Sequence, residues 1–235
     1  MSDTLFYSPE ISLNSQLSEI ESHHCVKVLR MRTGDLLTVT DGKGSFYQCT
    51  IVDANPKRCI VSINNKIKVD KPRDFILQIA FAPTKQMDRN EWFVEKATEV
   101  GIDRFTPIIS TYSERKEVKV ERLIKTAISA MKQSQQPFLP LIDKTVAFKD
   151  FIQLPFDGKK LIAHCYETPK MALSQIYKKG ENALILIGPE GDFSEEEVEN
   201  AIAYGFEPIS LGESRLRTET ASLIAAHTVH VLNAL

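Results

Sequence analysis

The sequence predicts an α/β protein, a parallel sheet with helical crossovers preceded by a small β-rich barrel. Three observations carry this prediction. From Phe75 onward, apolar runs alternate with helix-period segments, as parallel sheets require. Before that point, short strand-like runs are separated by hairpin-type turns. Near the C-terminus, a strand, a glycine-bearing loop and a helix start occur twice in succession, first at Leu184 to Ser194 and again around Leu211 to Ala221.

In chain order, residues 18–29 read as a short helix, and 36–40, 46–52 and 59–63 as strands. Asp41-Gly42-Lys43-Gly44 and Asn55-Pro56 supply the turns between them. Residues 64–73 are polar and basic, end in Lys71-Pro72, and mark the boundary between a domain at 1–72 and another at 73–235. Beyond it, 75–82 reads as a buried strand, 88–100 as a helix stopped by Gly101, and 104–109 as the next strand. Helical stretches at 118–133 and 169–178 and strands at 161–165 and 183–187 continue the alternation. Ser194-Glu195-Glu196-Glu197 is a capping box opening a helix that Gly205 ends, with an acidic, solvated face from Glu195 to Glu199.

The 235 residues are 43% hydrophobic and 26% charged, with a net charge of -2, which describes a globular protein without wholesale attraction to nucleic acid. The charge is unevenly spread: nine Lys or Arg stand against four Asp between His23 and Pro72. A surplus of that kind suits a phosphate-facing surface and equally an ordinary solvated one. No apolar run is long enough to span a membrane and no leader-like N-terminus is visible, so the expected location is the cytoplasm. Cys25, Cys49, Cys59 and Cys165 form no C-x-x-C pair, which predicts reduced, packed thiols. His227 and His230 lack the further ligands that a metal site needs, so no metal is expected.

The two loops concentrate the chemistry. Gly188-Pro189-Glu190-Gly191-Asp192-Phe193-Ser194 follows an apolar strand, and Leu216-Arg217-Thr218-Glu219-Thr220-Ala221 opens the last helix. Ligands of open α/β sheets settle outside the carboxyl ends of strands, so the loops point to one shared pocket. Thr218 also reads as a helix cap with Glu219 favoured by the dipole, which leaves Arg217 unexplained. Neither a Walker loop nor a G-x-G-x-x-G fingerprint is present.

At these residues the chain resembles the RsmE-type 16S ribosomal RNA methyltransferases of the SPOUT superfamily, whose loops read Gly-Pro-Glu-Gly-Gly-Phe-Ser and Leu-Arg-Thr-Glu-Thr-Ala. His23 to Arg30 with Gly34-Asp35 is similar to the family's N-terminal domain. Met87 to Gly101 is similar to its first long helix, and Gln133-Ser134 to its Gln-Ser motif. The chain departs from the family at Asp192 (usually Gly), at Thr4 and Gln136 (commonly basic), and at Ser214-Arg215, where a cation has moved by one position.

The resemblance implies a PUA-like barrel followed by a SPOUT-type sheet with a C-terminal deep trefoil knot, and a homodimer. It also implies S-adenosyl-L-methionine as cofactor, held by His164, Ile187, Gly188, Pro189, Glu190, Gly191, Leu211, Gly212, Leu216 and Thr218. The implied reaction is methyl transfer to N3 of a uridine in small-subunit ribosomal RNA, free or in the 30S subunit. Arg217 is then the candidate cation for the uracilate, and Glu190 or Glu219 the candidate proton acceptor. His23, His24, Lys27, Arg30, Arg32, Lys85 and Arg89 are the candidate RNA contacts. Phe193 has two readings, stacking on a flipped base or packing in the core. Two other functions stay open: an RNA-binding assembly factor without turnover, and a SPOUT enzyme acting on another RNA.

Overall fold

The computed structural model describes residues 4–235 and divides into two compact units; residues 1–3 of the expected N-terminal domain lie outside the described residues. One unit runs up to Arg73 and takes in Ile128–Leu139, and the other comprises Asp74–Ala127 and Pro140–Leu235.

In the first unit, where a small barrel is expected, β1 (Leu5–Tyr7), β2 (Leu36–Thr40), β3 (Ser45–Asp53) and β4 (Ile60–Lys68) form a four-stranded sheet in that order. β1 pairs with β2 in parallel, and the other pairings are antiparallel. The period of two is plain in β3, where Tyr47, Cys49 and Ile51 are buried and Gln48 and Val52 are exposed. β4 corrects the expected strand 59–63, because it continues to Lys68 and absorbs half of the stretch read as a linker. The nine-residue β3 supplies a ladder that long, and the Asn64 amide donates to Thr50 Oγ1 at 2.8 Å across it.

The expected helix 18–29 is also corrected. One α turn, α1 (Glu19–His23), is capped by Ser18, whose hydroxyl accepts from the Glu21 N–H. It widens into a π turn at His24–Val28, closed by the Leu29 N–H on the His24 carbonyl at 2.9 Å. The widened turn keeps Cys25 in the core while His23 and Lys27 stay exposed. Ile128–Leu139 packs into this unit through pairings no local pattern foretells, such as Gly44 N–H to Pro137 O at 2.8 Å and Leu139 N–H to Gly42 O at 2.9 Å.

The second unit contains β5 (Leu77–Phe81), α2 (Met87–Val100), β6 (Arg104–Ile109) and most of α3 (Val120–Gln133). After these come β7 (Leu141–Ile142), β8 (Val146–Ala147), α4 (Phe148–Phe151) and β9 (Lys159–Ala163). β10 (Met171–Ala172), α5 (Leu173–Ile176), β11 (Ala183–Ile187), α6 (Glu195–Ala203), β12 (Glu207–Ser210) and α7 (Thr218–Ala234) complete it. All strand pairings in its sheet are parallel, in the order β10-β12-β9-β11-β5-β6-β7, with β8 pairing on β6. The central strands β5 and β11 are buried at every position, which is why they read as continuous apolar runs. α7 packs on α2, β5 and β11.

Two expectations in this unit change, and one open alternative is decided. Residues 169–178 do not form one helix; a two-residue strand and a four-residue helix stand there. The α6 capping box forms, but Glu197 is buried rather than solvated. Its carboxylate accepts from the Ser194 N–H at 2.9 Å and from the Thr111 N–H at 2.8 Å. Phe193 is fully buried with its ring centroid 5.1 Å from that of Phe148, in the same apolar cluster as Val198. It therefore works as the hydrophobic staple of α6 and does not present its ring to a base.

Candidate functional site

β9 lies between β12 and β11, so the loops leaving the carboxyl ends of these three parallel strands are neighbours. They surround a cleft of about 640 Å³, of the size ligand pockets have. The strand expected at 161–165 ends at Ala163, which leaves His164 and Cys165 on the first of these loops.

Of the expected cofactor residues, His164, Ile187, Gly188, Pro189, Glu190, Leu211, Gly212, Leu216 and Thr218 line the cleft, as does Arg217. Gly191 is not among the residues lining the cleft, and a Cβ on it would stand 3.1 Å from the Tyr112 Cβ. Glu219 is off the cleft lining and buried, with one carboxylate oxygen 3.8 Å from the Arg89 Nε and the other without a hydrogen-bond partner among the described residues.

Thr218 is not the cap of α7. Arg217 holds that position with no side-chain bond to the helix, and Thr218 begins the helix proper. The buried Thr218 hydroxyl instead donates to the Gly188 carbonyl at 2.9 Å, tying the second motif to the first. Gly188 is closely surrounded, since a Cβ there would stand 3.1 Å from the Phe193 amide nitrogen and 3.2 Å from an Asp192 carboxylate oxygen, tight contacts that a side chain would have to push back. Gly212 is the opposite case: its φ of 126° favours glycine, and the space where a Cβ would stand is open.

Charge is distributed around these loops in a specific way. Glu190 accepts the Lys85 N–H at 3.0 Å, and the Arg115 guanidinium binds the carbonyls of Thr84 and Lys85, which firms the segment facing it. The guanidinium groups of Arg215 and Arg217 have no hydrogen-bond or ion-pair partner among the described residues. Lys170 donates to the carbonyls of His164 and Tyr166 at 2.8 and 2.6 Å. Neither ring nitrogen of the buried His164 finds a partner among the described residues. Burial and then the Lys170 ammonium push the His164 pKa down, against the pull of Asp192, so the imidazole is held neutral.

Cys165 departs from the expectation of packed thiols: it is exposed on the cleft, while Cys25, Cys49 and Cys59 are buried. Partial desolvation by the cleft walls and then Asp192 raise its pKa, so the thiol form is favoured. No cluster of three or more potential metal ligands occurs among the described residues, and the His230 ring is engaged with the Gly101 carbonyl at 3.2 Å. Cys165, Lys170 and Arg215 also join the lining, and of the three only Lys170 lies outside the loops the resemblance implies. Lys170 had no local signal, because its bonds go to main-chain carbonyls.

The candidate RNA contacts fall into two groups. In the first unit His23, Lys27, Arg30 and Arg32 are exposed, whereas His24 is half-buried with its ring 5.9 Å from Phe6. In the second unit Lys85 pairs with Glu114 at 2.9 Å, and Arg89 faces Glu219.

S-adenosyl-L-methionine fits this donor set. The cleft offers the unpartnered His164 nitrogens for polar atoms, open space beside Gly212, apolar contact from Ile187, Leu211 and Leu216, and carboxylates able to face a sulfonium.

Similarity to known proteins extends over nearly the whole chain. Residues 71–230 match the family described as RNA methyltransferase domain, and residues 17–64 match the RNA methyltransferase PUA domain. The Ribosomal RNA small subunit methyltransferase E of Rickettsia conorii is 29% identical, over 97% of this chain and 95% of its own length. A crystal structure of a probable rRNA-methyltransferase from Porphyromonas gingivalis is 46% identical with a TM-score of 0.93, covering 98% of each chain. That of a Ribosomal RNA small subunit methyltransferase E from Neisseria gonorrhoeae bound to S-adenosyl methionine is 26% identical with a TM-score of 0.86, covering 97% of each chain. With both domains matched and the two glycine-bearing loops gathered on one cleft, the chain belongs to the RsmE-type RNA methyltransferases.

Proposed function

We propose that this protein transfers a methyl group from S-adenosyl-L-methionine to N3 of a uridine in 16S ribosomal RNA. The observation that carries the reading is the convergence of the two family motifs, joined by Thr218 and Gly188, on one cleft in a chain that matches the family end to end. The bound cofactor supplies an electrophilic methyl on a sulfonium.

The protein's own residues must do the rest. N3 of uracil is protonated and a poor nucleophile, so its proton must leave and the charge that appears on O2 and O4 must be stabilised. We assign that stabilisation to Arg217, whose guanidinium has no other partner among the described residues and borders the cleft. Of the two candidate acceptors we assign the proton to Glu190, which lines the cleft, and give Glu219 the task of holding Arg89. Glu190→Gln keeps an oxygen for the Lys85 N–H while removing the charge, so it isolates the acceptor role.

The exposed cations of the first unit, Lys27, Arg30 and Arg32, suit phosphate contact, and Lys85 and Arg89 extend the RNA-facing set. A knotted C-terminal segment is supported by the crossing of the chain from β11 past β9 to β12, after which α7 packs back on β11. We further propose a homodimer and a cytoplasmic location; no helix among the described residues is long and apolar enough to cross a membrane. The division we propose takes 1–72 as the RNA-binding part, joined by Ile128–Leu139, which clusters with it, and the rest of 73–235 as the catalytic part.

The test is transfer of labelled methyl to small subunits lacking native modifications, with the product mapped by nuclease digestion and mass spectrometry. N3-methyluridine at a single position is expected. Cofactor binding with no label in that RNA would overturn the reading in favour of another RNA substrate or a binding role.

A further inference from the structure

Asp192 stands at a backbone position that favours glycine and that aspartate or asparagine tolerates. Its φ is 67°, in the left-handed region that glycine enters freely and a side chain enters at a cost. It closes a turn in which its N–H donates to the Pro189 carbonyl at 2.9 Å, a turn that glycine would make more easily.

The side chain supplies the reason for an aspartate. One carboxylate oxygen accepts the N–H of Cys165 at 2.7 Å, and the other accepts the N–H of Phe193 at 2.8 Å. Cys165 belongs to the loop after β9, and Phe193 to the loop after β11. The carboxylate thus bridges two separate walls of the cleft with charge-assisted bonds at both ends. Tyr166 reinforces the seam by donating its hydroxyl to the Phe193 carbonyl at 2.7 Å. On the near side of the seam stands His164, buried and with both ring nitrogens unpartnered among the described residues.

We infer that Asp192 is a positioning residue that latches the His164 loop to the Gly188 loop and thereby sets the affinity of the cleft for its cofactor. Each oxygen accepts one amide, which ties the carboxylate to the main chain of both walls. Because Asp192 also lines the cleft, a charged and an uncharged ligand are needed to separate this positioning role from direct attraction to the sulfonium. The inference rests on the cofactor reading proposed above. A pre-set pair of walls spares the ligand the cost of ordering them on binding. A latch of this kind acts alike on S-adenosylmethionine and on S-adenosylhomocysteine, which lacks the positive charge. A direct attraction between the carboxylate and the sulfonium would favour only the charged ligand.

The experiment is calorimetric titration of the full chain with each of the two ligands, for the wild type, Asp192→Gly and Asp192→Asn. Glycine suits the backbone angle, so that variant folds, and asparagine tolerates the same region while keeping one acceptor. The expected result is a Kd raised about tenfold for both ligands in Asp192→Gly, with Asp192→Asn in between. Hydrogen exchange at the Cys165 amide should accelerate in Asp192→Gly without ligand.

Unchanged affinity for both ligands, even with a lowered melting temperature, would overturn the inference by reducing Asp192 to a structural role. Weakening of S-adenosylmethionine binding alone would overturn it in favour of charge recognition. Failure of the wild-type chain to bind either ligand would overturn the cofactor reading and the inference with it, which separates the two failures.

Discussion

The two glycine-bearing loops that meet at the cleft are built on opposite plans. The loop after β11 is tied at nearly every residue: Gly188 through its carbonyl to Thr218, Glu190 to the Lys85 amide, Asp192 to Cys165 and Phe193, and Ser194 to Glu197. The loop after β12 is held at its start by the exchange between Ser210 and Gly212, and its residues from Glu213 to Arg215 are exposed. One wall therefore arrives with its geometry set, and the other brings cations that have spent none of their bonding capacity inside the protein. Binding a common cofactor calls for the first plan, and the proposed role in meeting an incoming RNA base calls for the second.

The sharpest way to break that contrast is Arg217→Ala. The side chain makes no cap bond to α7, so the helix start survives its loss. If the open loop supplies transition-state charge stabilisation, single-turnover methyl transfer should fall by about 10²–10³-fold while cofactor affinity changes far less. A near-normal rate would move the stabilising charge elsewhere and remove the functional half of the contrast.

Thr218→Val tests the one bond that joins the two plans. It preserves shape and removes a buried hydroxyl donor from the Gly188 carbonyl, which should cost about 1–3 kcal/mol in denaturant unfolding. A smaller cost would mean that the tied loop holds its form without the helix behind it. Ser194→Ala probes the far end of the same loop. Loss of the hydroxyl that accepts the Glu197 N–H should lower stability by about 1 kcal/mol and leave the ligand affinity of the cleft intact.

What could be read in advance divides along physical lines. The long alternating or continuous apolar runs, such as β3, β5 and β11, and the capped α6 were legible because one local period or one local bond decides each of them. The membership of both motifs in one cleft was legible from the position of loops after parallel strands. The two-residue strands β7, β8 and β10 and the four-residue α4 and α5 are too short to show a period, and so they escaped. The roles of Thr218, Asp192 and Lys170 escaped for a different reason. Each is defined by a hydrogen bond to a main-chain group elsewhere, and Thr218 bonds to a carbonyl 30 positions away. Phe193 was legible only as a pair of alternatives, since a residue before a helix cap can serve the core or a ligand until its neighbours are known.

His164 provides the smallest and most selective probe of the tied wall. In the unfolded chain its pKa is about 6.5. In the folded protein, burial and the neighbouring Lys170 ammonium lower it, with Asp192 opposing. Between the folded and unfolded values the unfolded state binds more protons, so stability rises with pH across that window. The stabilising contribution of the neutral ring is thus fully present above pH 6.5 and is lost as the pH falls toward the depressed folded value. Thermal melts of the ligand-free protein between pH 5 and 8 should show this loss on the acid side, and His164→Gln should flatten that part of the profile. The sign matters for the comparison of the loops. A neutral ring with two unpartnered nitrogens offers a donor on one side and an acceptor on the other, whereas a protonated ring could only donate. A profile that is already flat in the wild type would mean that the ring is free to take up a proton, and the wall that holds it would then be no more set in its chemistry than the open loop opposite.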